Sequence, residues 1–286
     1  MPESDHNPAG PAGVYVYCFT RARWVGQIAS EGIDGRATVA VMTDSPLAAV
    51  YSRVDLGEFD GEEAEDRLAD PDWVLPRACR HERVVEEVMQ SGPVLPVRFG
   101  TVFRSQSRLA EVMEAREGAL LSALDSLDGR QEWAVKGFAD AEKVRRWLLA
   151  ADADLARAQD GLPENPGVRY FAEKRLDGRV EEALGRWRRA VAGEARRDLE
   201  PYVREIRPLP VQSRQVTGRR DDMVFNLACL VASGEVAALR SAAEALEADG
   251  AEQGLAVQVS GPLPPYTFCP PLEVQSDDPS DVRRVP

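Results

Sequence analysis

Short extended runs and one helical pattern make up the first part of the chain. Residues 14–19 are β-branched, aromatic and apolar on both faces of a strand, which is typical of a central position in a sheet. Two further extended runs cover residues 37–42 and 47–54. From Pro76 onward, apolar residues recur at helical spacing, and His81 lies on their face. The pattern predicts an N-terminal α/β domain built on a mixed sheet.

A second helix and a turn complete this domain. Residues 94–103 form another extended run, Ser105 can cap the helix that follows, and that helix carries an apolar stripe. Asp128-Gly129 ends the helix, because glycine tolerates the left-handed conformation in which helices commonly end. We therefore expect an N-terminal α+β domain over residues 13–130.

The second half of the chain shows the order strand, helix, strand, strand, helix, strand. The four strand patterns cover residues 132–138, 202–211, 222–231 and 255–260. This order is that of a split βαβ, ferredoxin-like domain, in which the first and third strands are central neighbours. The sequence predicts a modified ferredoxin-like domain over residues 131–269, with an extended first helical crossover. The fold class is therefore α+β with two domains, and residues 1–12 and 270–286 are expected to be a disordered N-terminus and tail.

Charge and apolar content exclude several function classes. The 286 residues include 48 acidic and 35 basic side chains, for a formal net charge of −13. Such a balance argues against nucleic acid and anionic lipid as partners. No run approaches the roughly 20 apolar residues of a membrane helix. The absence of a signal-peptide pattern and the four scattered cysteines without a CxxC pair favour a cytoplasmic protein with reduced thiols.

No catalytic constellation is apparent. The sequence has two histidines: His6 in the predicted disordered N-terminus, and His81, whose place on an apolar helix face favours a packed over a catalytic role. Phosphate-binding glycine loops are absent. Asp221-Asp222 is more typical of a solvated turn than of metal ligands. We therefore predict no catalytic residue, no cofactor and no metal site.

Two sets of charged residues each have two possible interpretations. Glu132 and Lys136 share one strand face, and a surface pair is favoured over a catalytic acid and base because more than 10 Å separates them along the strand. Five arginines between residues 186 and 197 lie among carboxylates. They form either the solvated side of a long helix or a docking surface for an acidic partner.

Two apolar segments are candidates for partner binding. Residues 93–103 enclose a single arginine, Arg98, next to Phe99, and it either ties the strand to a neighbouring element or anchors a partner. The second segment, residues 261–268, contains three prolines and two aromatic residues, Tyr266 and Phe268. That segment either folds back over a domain or binds another chain.

Three motifs resemble one known family. Residues 94–103, 129–136 and 261–268 resemble the gas vesicle protein F/L (GvpF/GvpL) family in order and separation, and the opening strand and His81 also match its pattern. Leu263 departs from it, because a tryptophan is expected there. The resemblance implies a two-domain α/β protein needed to build gas vesicles, which are hollow protein shells in the cytoplasm. It also implies contact with the small, hydrophobic major shell protein, without a cofactor or catalytic residue.

We therefore expect a non-enzymatic gas vesicle assembly or minor structural protein, located in the cytoplasm and at the gas vesicle. Its expected partners are the major shell protein and other gas vesicle accessory proteins. The sequence does not separate an assembly chaperone from a component of the vesicle wall. The alternative is a ferredoxin-like module that binds a small molecule or catalyses a reaction. That alternative requires polar residues that converge in a pocket.

Overall fold

The computed structural model describes residues 12–44, 46–59, 62–270 and 282–283, which divide into two compact units. The first unit runs to residue 129 and resumes at residue 264, and the second covers residues 130–263. Residues 264–269, expected in the second domain, thus group with the first unit. The predicted disorder of residues 1–12 and 270–286 falls almost wholly outside the described residues.

The described part of the first unit contains six strands and four α-helices. Its strands are β1 (Ala12–Arg21), β2 (Val39–Asp44), β3 (Leu47–Asp55), β4 (Val94–Pro96), β5 (Val102–Phe103) and β10 (Val282–Arg283). Its helices are α1 (Leu56–Phe59), α2 (Glu62–Ala69), α3 (Pro71–Met89) and α4 (Gln106–Leu127). The predicted cap of α4 is confirmed, because the Ser105 side chain accepts a hydrogen bond from the backbone N–H of Arg108.

β1 is the central strand of the first sheet, whose order is β10-β5-β1-β3-β2, with β4 also paired to β1. The prediction of a mixed sheet was wrong, since every pairing among its described strands is antiparallel. β3 and β4 do run in the same direction, since both are antiparallel to β1. They are not neighbours because β1 lies between them.

Two sequence expectations in this unit need correction. Residues 94–103 are not one extended run, because the chain turns between β4 and β5 and Gly100 adopts φ +80°. α3 begins at Pro71, before the predicted start at Pro76. The Asp70 side chain accepts a hydrogen bond from Asp72 N, and proline at the first position fits a helix start.

The second unit carries a four-stranded antiparallel sheet. Its strands are β6 (Arg130–Ala139), β7 (Glu205–Pro208), β8 (Asp222–Ala232) and β9 (Leu255–Leu263). Its helices are α5 (Ala141–Ala151), α6 (Ala153–Asp160), α7 (Pro166–Leu199), α8 (Arg214–Thr217) and α9 (Val236–Gly250). The strand order is β7-β8-β6-β9, so the prediction that β6 and β8 are central is confirmed.

Each unit has its own apolar core. In the first unit, residues of β1 and β3 pack with one face of α3, which includes Val84, Val85 and Val88. In the second unit, alternate residues of β6 and β8 pack against helices, and Trp187 of α7 is part of this cluster. No helix among the described residues has the length and apolar content needed to cross a membrane.

Candidate functional site

A buried histidine is at the centre of a polar network in the first unit. α3 places His81 against β1, where the residue is 1% exposed. Its Nδ1 atom lies 2.9 Å from the Tyr15 hydroxyl. Its Nε2 atom lies 3.2 Å from the Val97 carbonyl oxygen and 3.0 Å from the Tyr266 hydroxyl. Both ring nitrogens are thus engaged by protein atoms, as the prediction of a packed histidine requires.

The partners of His81 determine where its proton lies. The Val97 carbonyl can only accept a hydrogen bond, so Nε2 carries the hydrogen, and Nδ1 accepts from the Tyr15 hydroxyl. Burial lowers the pKa of His81 to about 4. The imidazole is therefore neutral at pH 7, and neither nitrogen is left for a substrate.

Tyr266 joins the C-terminal part of the first unit to α3. Its hydroxyl donates to Glu82 Oε1 at 2.7 Å and accepts from His81 Nε2. Burial raises the pKa of the Glu82 carboxyl, and the hydrogen bond from Tyr266 acts in the opposite direction. Two buried prolines, Pro264 and Pro265, precede Tyr266, and its backbone N–H donates to the Pro264 carbonyl. The segment therefore turns Tyr266 toward α3.

The loop between β4 and β5 is held by backbone hydrogen bonds. Val97 N donates to the Tyr17 carbonyl at 3.0 Å, and Gly100 N donates to the Tyr15 hydroxyl at 3.2 Å. The backbone N–H and the side-chain hydroxyl of Thr101 both donate to the Arg98 carbonyl. The loop thus presents the Arg98 side chain from a fixed backbone.

Of the four residues predicted to bind a partner, the network holds two. The ring of Phe99 is half-buried, 6.1 Å from the His81 ring between centroids, and Tyr266 is bonded to the same histidine. Phe268 is buried, and its backbone N–H donates to the Pro265 carbonyl. Arg98 is exposed, and no hydrogen bond or ion pair joins its guanidinium to another described residue.

Sequence reasoning missed two members of the network, Tyr15 and Glu82. Tyr15 lies in a strand whose described interior is wholly buried, where a hydroxyl needs a partner. Glu82 follows His81 directly on α3. A tyrosine within the apolar run of residues 14–19 is thus the one local signal that could have pointed to the network.

Other candidate residues have structural partners. The predicted surface position of Glu132 was wrong, because its side chain is only 5% exposed. Glu132 lies on β6, which has β8 on one side and β9 on the other. Asp222 is paired with Arg188 and Arg214, at 3.3 Å and 2.6 Å. Within the described ranges, no group of three or more histidine, cysteine, aspartate or glutamate side chains is placed to hold a metal ion.

Comparisons with known proteins agree on one family. The family model described as gas vesicle synthesis protein GvpL/GvpF matches residues 13–270. Gas vesicle protein L of Streptomyces sp. (strain CB03234) is 32% identical over 258 residues, covering 89% of this chain and 91% of that protein. Gas vesicle protein L2 of Halobacterium salinarum is 27% identical over 281 residues, covering 94% of each.

Solved structures show the same fold. The crystal structure of the gas vesicle protein GvpF from Anabaena sp. PCC7120 is similar, with a TM-score of 0.69 and 19% sequence identity. It covers 91% of this chain and 98% of its own. The GvpF structure from Microcystis aeruginosa is similar with a TM-score of 0.62 and 20% identity, covering 90% of this chain and 99% of its own.

Proposed function

This chain belongs to the gas vesicle synthesis protein GvpL/GvpF family, and we propose that it contacts the hydrophobic major shell protein during gas vesicle formation. The family match extends over nearly all of the described residues. In this proposal the protein is a non-enzymatic assembly or minor structural component. Its partners are the major shell protein and other gas vesicle accessory proteins, and its place is at the gas vesicle in the cytoplasm.

The exposed Arg98 side chain is the observation that carries the proposed contact. Its guanidinium offers five N–H donors and has no partner among the described residues. The loop backbone beneath it is already held by Val97, Gly100 and Thr101. A group presented from a fixed loop loses little conformational entropy on binding, which favours affinity.

Phe99 gives this contact an apolar part. Its ring packs on Tyr15 at 6.2 Å between centroids and on His81, and it remains half-exposed. An aromatic surface beside a cation is a combination that is enriched at protein interfaces. We therefore assign direct contact with the partner to Arg98 and Phe99.

Tyr266 has a supporting role in this proposal, and Phe268, which is buried, is assigned no contact with the partner. The Tyr266 hydroxyl bonds to Glu82 and to His81, which in turn bonds to the Val97 carbonyl at the start of the Arg98 loop. Because these bonds form one continuous chain, Tyr266 fixes the position of the loop from behind. It acts as a positioning residue for Arg98.

We also infer that the second unit is a modified ferredoxin-like domain. The support is the antiparallel order β7-β8-β6-β9, in which the first and third strands of the unit are central. Three helices, α5, α6 and α7, occupy the first crossover, in place of the single helix of a simple split βαβ unit.

The chemistry of the buried network supports the proposal that this protein is not an enzyme. Both ring nitrogens of His81 are bonded to protein atoms, and burial raises the pKa values of Tyr15 and Tyr266 well above their usual range. None of these groups is poised to exchange a proton with a substrate near pH 7.

Capture of the major shell protein tests the proposed contact. The immobilised full chain is incubated with an extract of vesicle-forming cells, and bound shell protein is quantified. Arg98→Ala is expected to reduce capture on the order of tenfold, as for an interface anchor. Arg53→Ala is the matched control, because Arg53 is an exposed arginine of the same unit on β3. Both variants should keep the wild-type circular dichroism spectrum and melting temperature.

Two results would contradict the proposal. Wild-type protein that captures no shell protein would remove the partner assignment. Equal capture by Arg98→Ala and Arg53→Ala would place the contact elsewhere on the chain. Tyr266→Phe tests the positioning role separately: it should weaken capture only partially, because the ring stays and the hydroxyl is lost.

A further inference from the structure

The beginning of α7 carries an exposed apolar patch. None of its first ten residues is buried, and the first buried residue of the helix is Leu176. Val168, Tyr170 and Phe171 are 55%, 59% and 67% exposed. The two aromatic rings contact each other edge to face, with 5.5 Å between centroids. We refer to these three residues as the α7 patch.

The described part of the chain does not cover the α7 patch. Each aromatic side chain has about 150–250 Å² of surface, and here more than half of it faces solvent. Clustered apolar side chains at a surface mark interaction sites, whereas single exposed ones are common. Three such residues within about one helical turn make this surface a candidate interaction site.

Charges beside the α7 patch indicate the sign of its partner. Lys174 and Arg175 lie four residues after Tyr170 and Phe171, so each ring is followed by a cation one turn later. Both cations are exposed, and neither has an ion-pair partner among the described residues. α7 as a whole carries nine cations and six carboxylates, in a chain with a net charge of −13. This basic helix therefore complements an acidic partner.

The neighbouring backbone indicates the shape of the partner. Gly167 and Gly178 lie four residues before and seven residues after Phe171, so they share its face. A Cβ atom at Gly178 would meet nothing within 4 Å, so the described chain does not require glycine there. Glycine within a helix is destabilising relative to alanine. A glycine on this face allows the backbone of another helix to approach closely.

We propose that the α7 patch binds an amphipathic helix of a protein partner, in which aliphatic side chains alternate with carboxylates at helical spacing. The aliphatic side chains pack on Tyr170 and Phe171, and the carboxylates pair with Lys174 and Arg175. The α7 patch belongs to the second unit and the Arg98 loop to the first, and the inference does not depend on the proposed function.

Photocrosslinking from the full chain identifies the occupant. Phe171 is replaced by the photoreactive residue benzoylphenylalanine, the protein is produced in vesicle-forming cells, and crosslinked peptides are sequenced by mass spectrometry. We expect a protein segment with aliphatic and acidic residues at helical spacing. The control carries the same residue at Val216, which is 69% exposed in the same unit and should give no such product.

Charge reversal tests the complementarity. Lys174→Glu combined with Arg175→Glu should lower the crosslink yield on the order of tenfold, because like charges then face each other. Tyr170→Ala should lower it to a similar extent and leave the melting temperature unchanged, because Tyr170 is exposed and alanine is the better helix former.

Each remaining outcome overturns the inference. Crosslinks to a second copy of this chain would make the patch a self-association surface, and crosslinks to phospholipid would make it a membrane contact. A yield at Phe171 no higher than at Val216 would mean that nothing docks there. A yield that is unchanged by the charge reversal would exclude an acidic partner.

Discussion

Replacing His81 with glutamine should change how the stability of the protein depends on pH. In the folded chain, burial lowers the pKa of His81 from 6.5 to about 4. As the pH falls below 6.5, the unfolded chain takes up a proton on this histidine, and the folded chain does not until about pH 4. The wild-type protein therefore loses stability over this interval, and only well above pH 6.5 does the histidine cease to affect its pH dependence.

The size of the effect follows from the two pKa values. The complete shift corresponds to about 3 kcal/mol of unfolding free energy, of which about 2 kcal/mol is lost between pH 7 and pH 5. At pH 7, His81→Gln should itself cost about 1–3 kcal/mol, because the Tyr15 hydroxyl and the Val97 carbonyl lose a buried partner. The stability gap between the two proteins should thus narrow by about 2 kcal/mol at pH 5.

Urea unfolding at pH 7 and pH 5 measures this gap. Glu82 contributes with the opposite sign, because burial raises its pKa, but it is present in both proteins and largely cancels in the difference. The control is His6→Gln, which removes the other histidine of the sequence. At both pH values, the unfolding free energy of His6→Gln should exceed that of His81→Gln by the same amount as the wild-type value does. NMR titration of the His81 ring measures its pKa in the folded protein directly. The reasoning would be refuted by a stability difference between wild type and His81→Gln that is the same at pH 7 and pH 5, or by a His81 imidazole that titrates near pH 6.5.

Two further predictions concern packing and thiol reactivity. Gly137→Ala should destabilise the second unit by about 1–3 kcal/mol, because a Cβ atom at this position would lie 2.2 Å from the Phe225 ring. Thermal or urea unfolding measures this loss. An unchanged stability would show that the ring moves freely aside. In the native protein, a thiol reagent should modify Cys79, which is exposed, and leave the buried Cys18 and Cys229 unmodified until the chain unfolds. Burial also raises the pKa of Cys229 to about 12, so a rapid native reaction at that residue would contradict the structure.

Local chemistry alone was enough to predict several elements. The apolar stripe of α7, the strand pattern of β8, the Ser105 cap and the end of α9 at Gly250 all match the structure. These features depend on residues a few positions apart, whose periodicity and capping are visible in the sequence. The central place of β6 and β8 also followed, because that position requires apolar residues on both faces.

The tertiary structure alone decided the polar network and the direction of the strands. Tyr266 and His81 are 185 residues apart, and only the return of the chain to the first unit brings them within 3.0 Å. The first sheet is antiparallel because β1 lies between β3 and β4, an arrangement that no local pattern encodes.

Exposure was likewise decided by the fold. An aromatic residue such as Phe171 looks like core material in a sequence, and Glu132 looks like surface. The structure places Phe171 on an open helix face and Glu132 on a central strand. Hydropathy describes what a side chain prefers, but burial depends on whether distant parts of the chain pack over it, and that is a property of the whole fold.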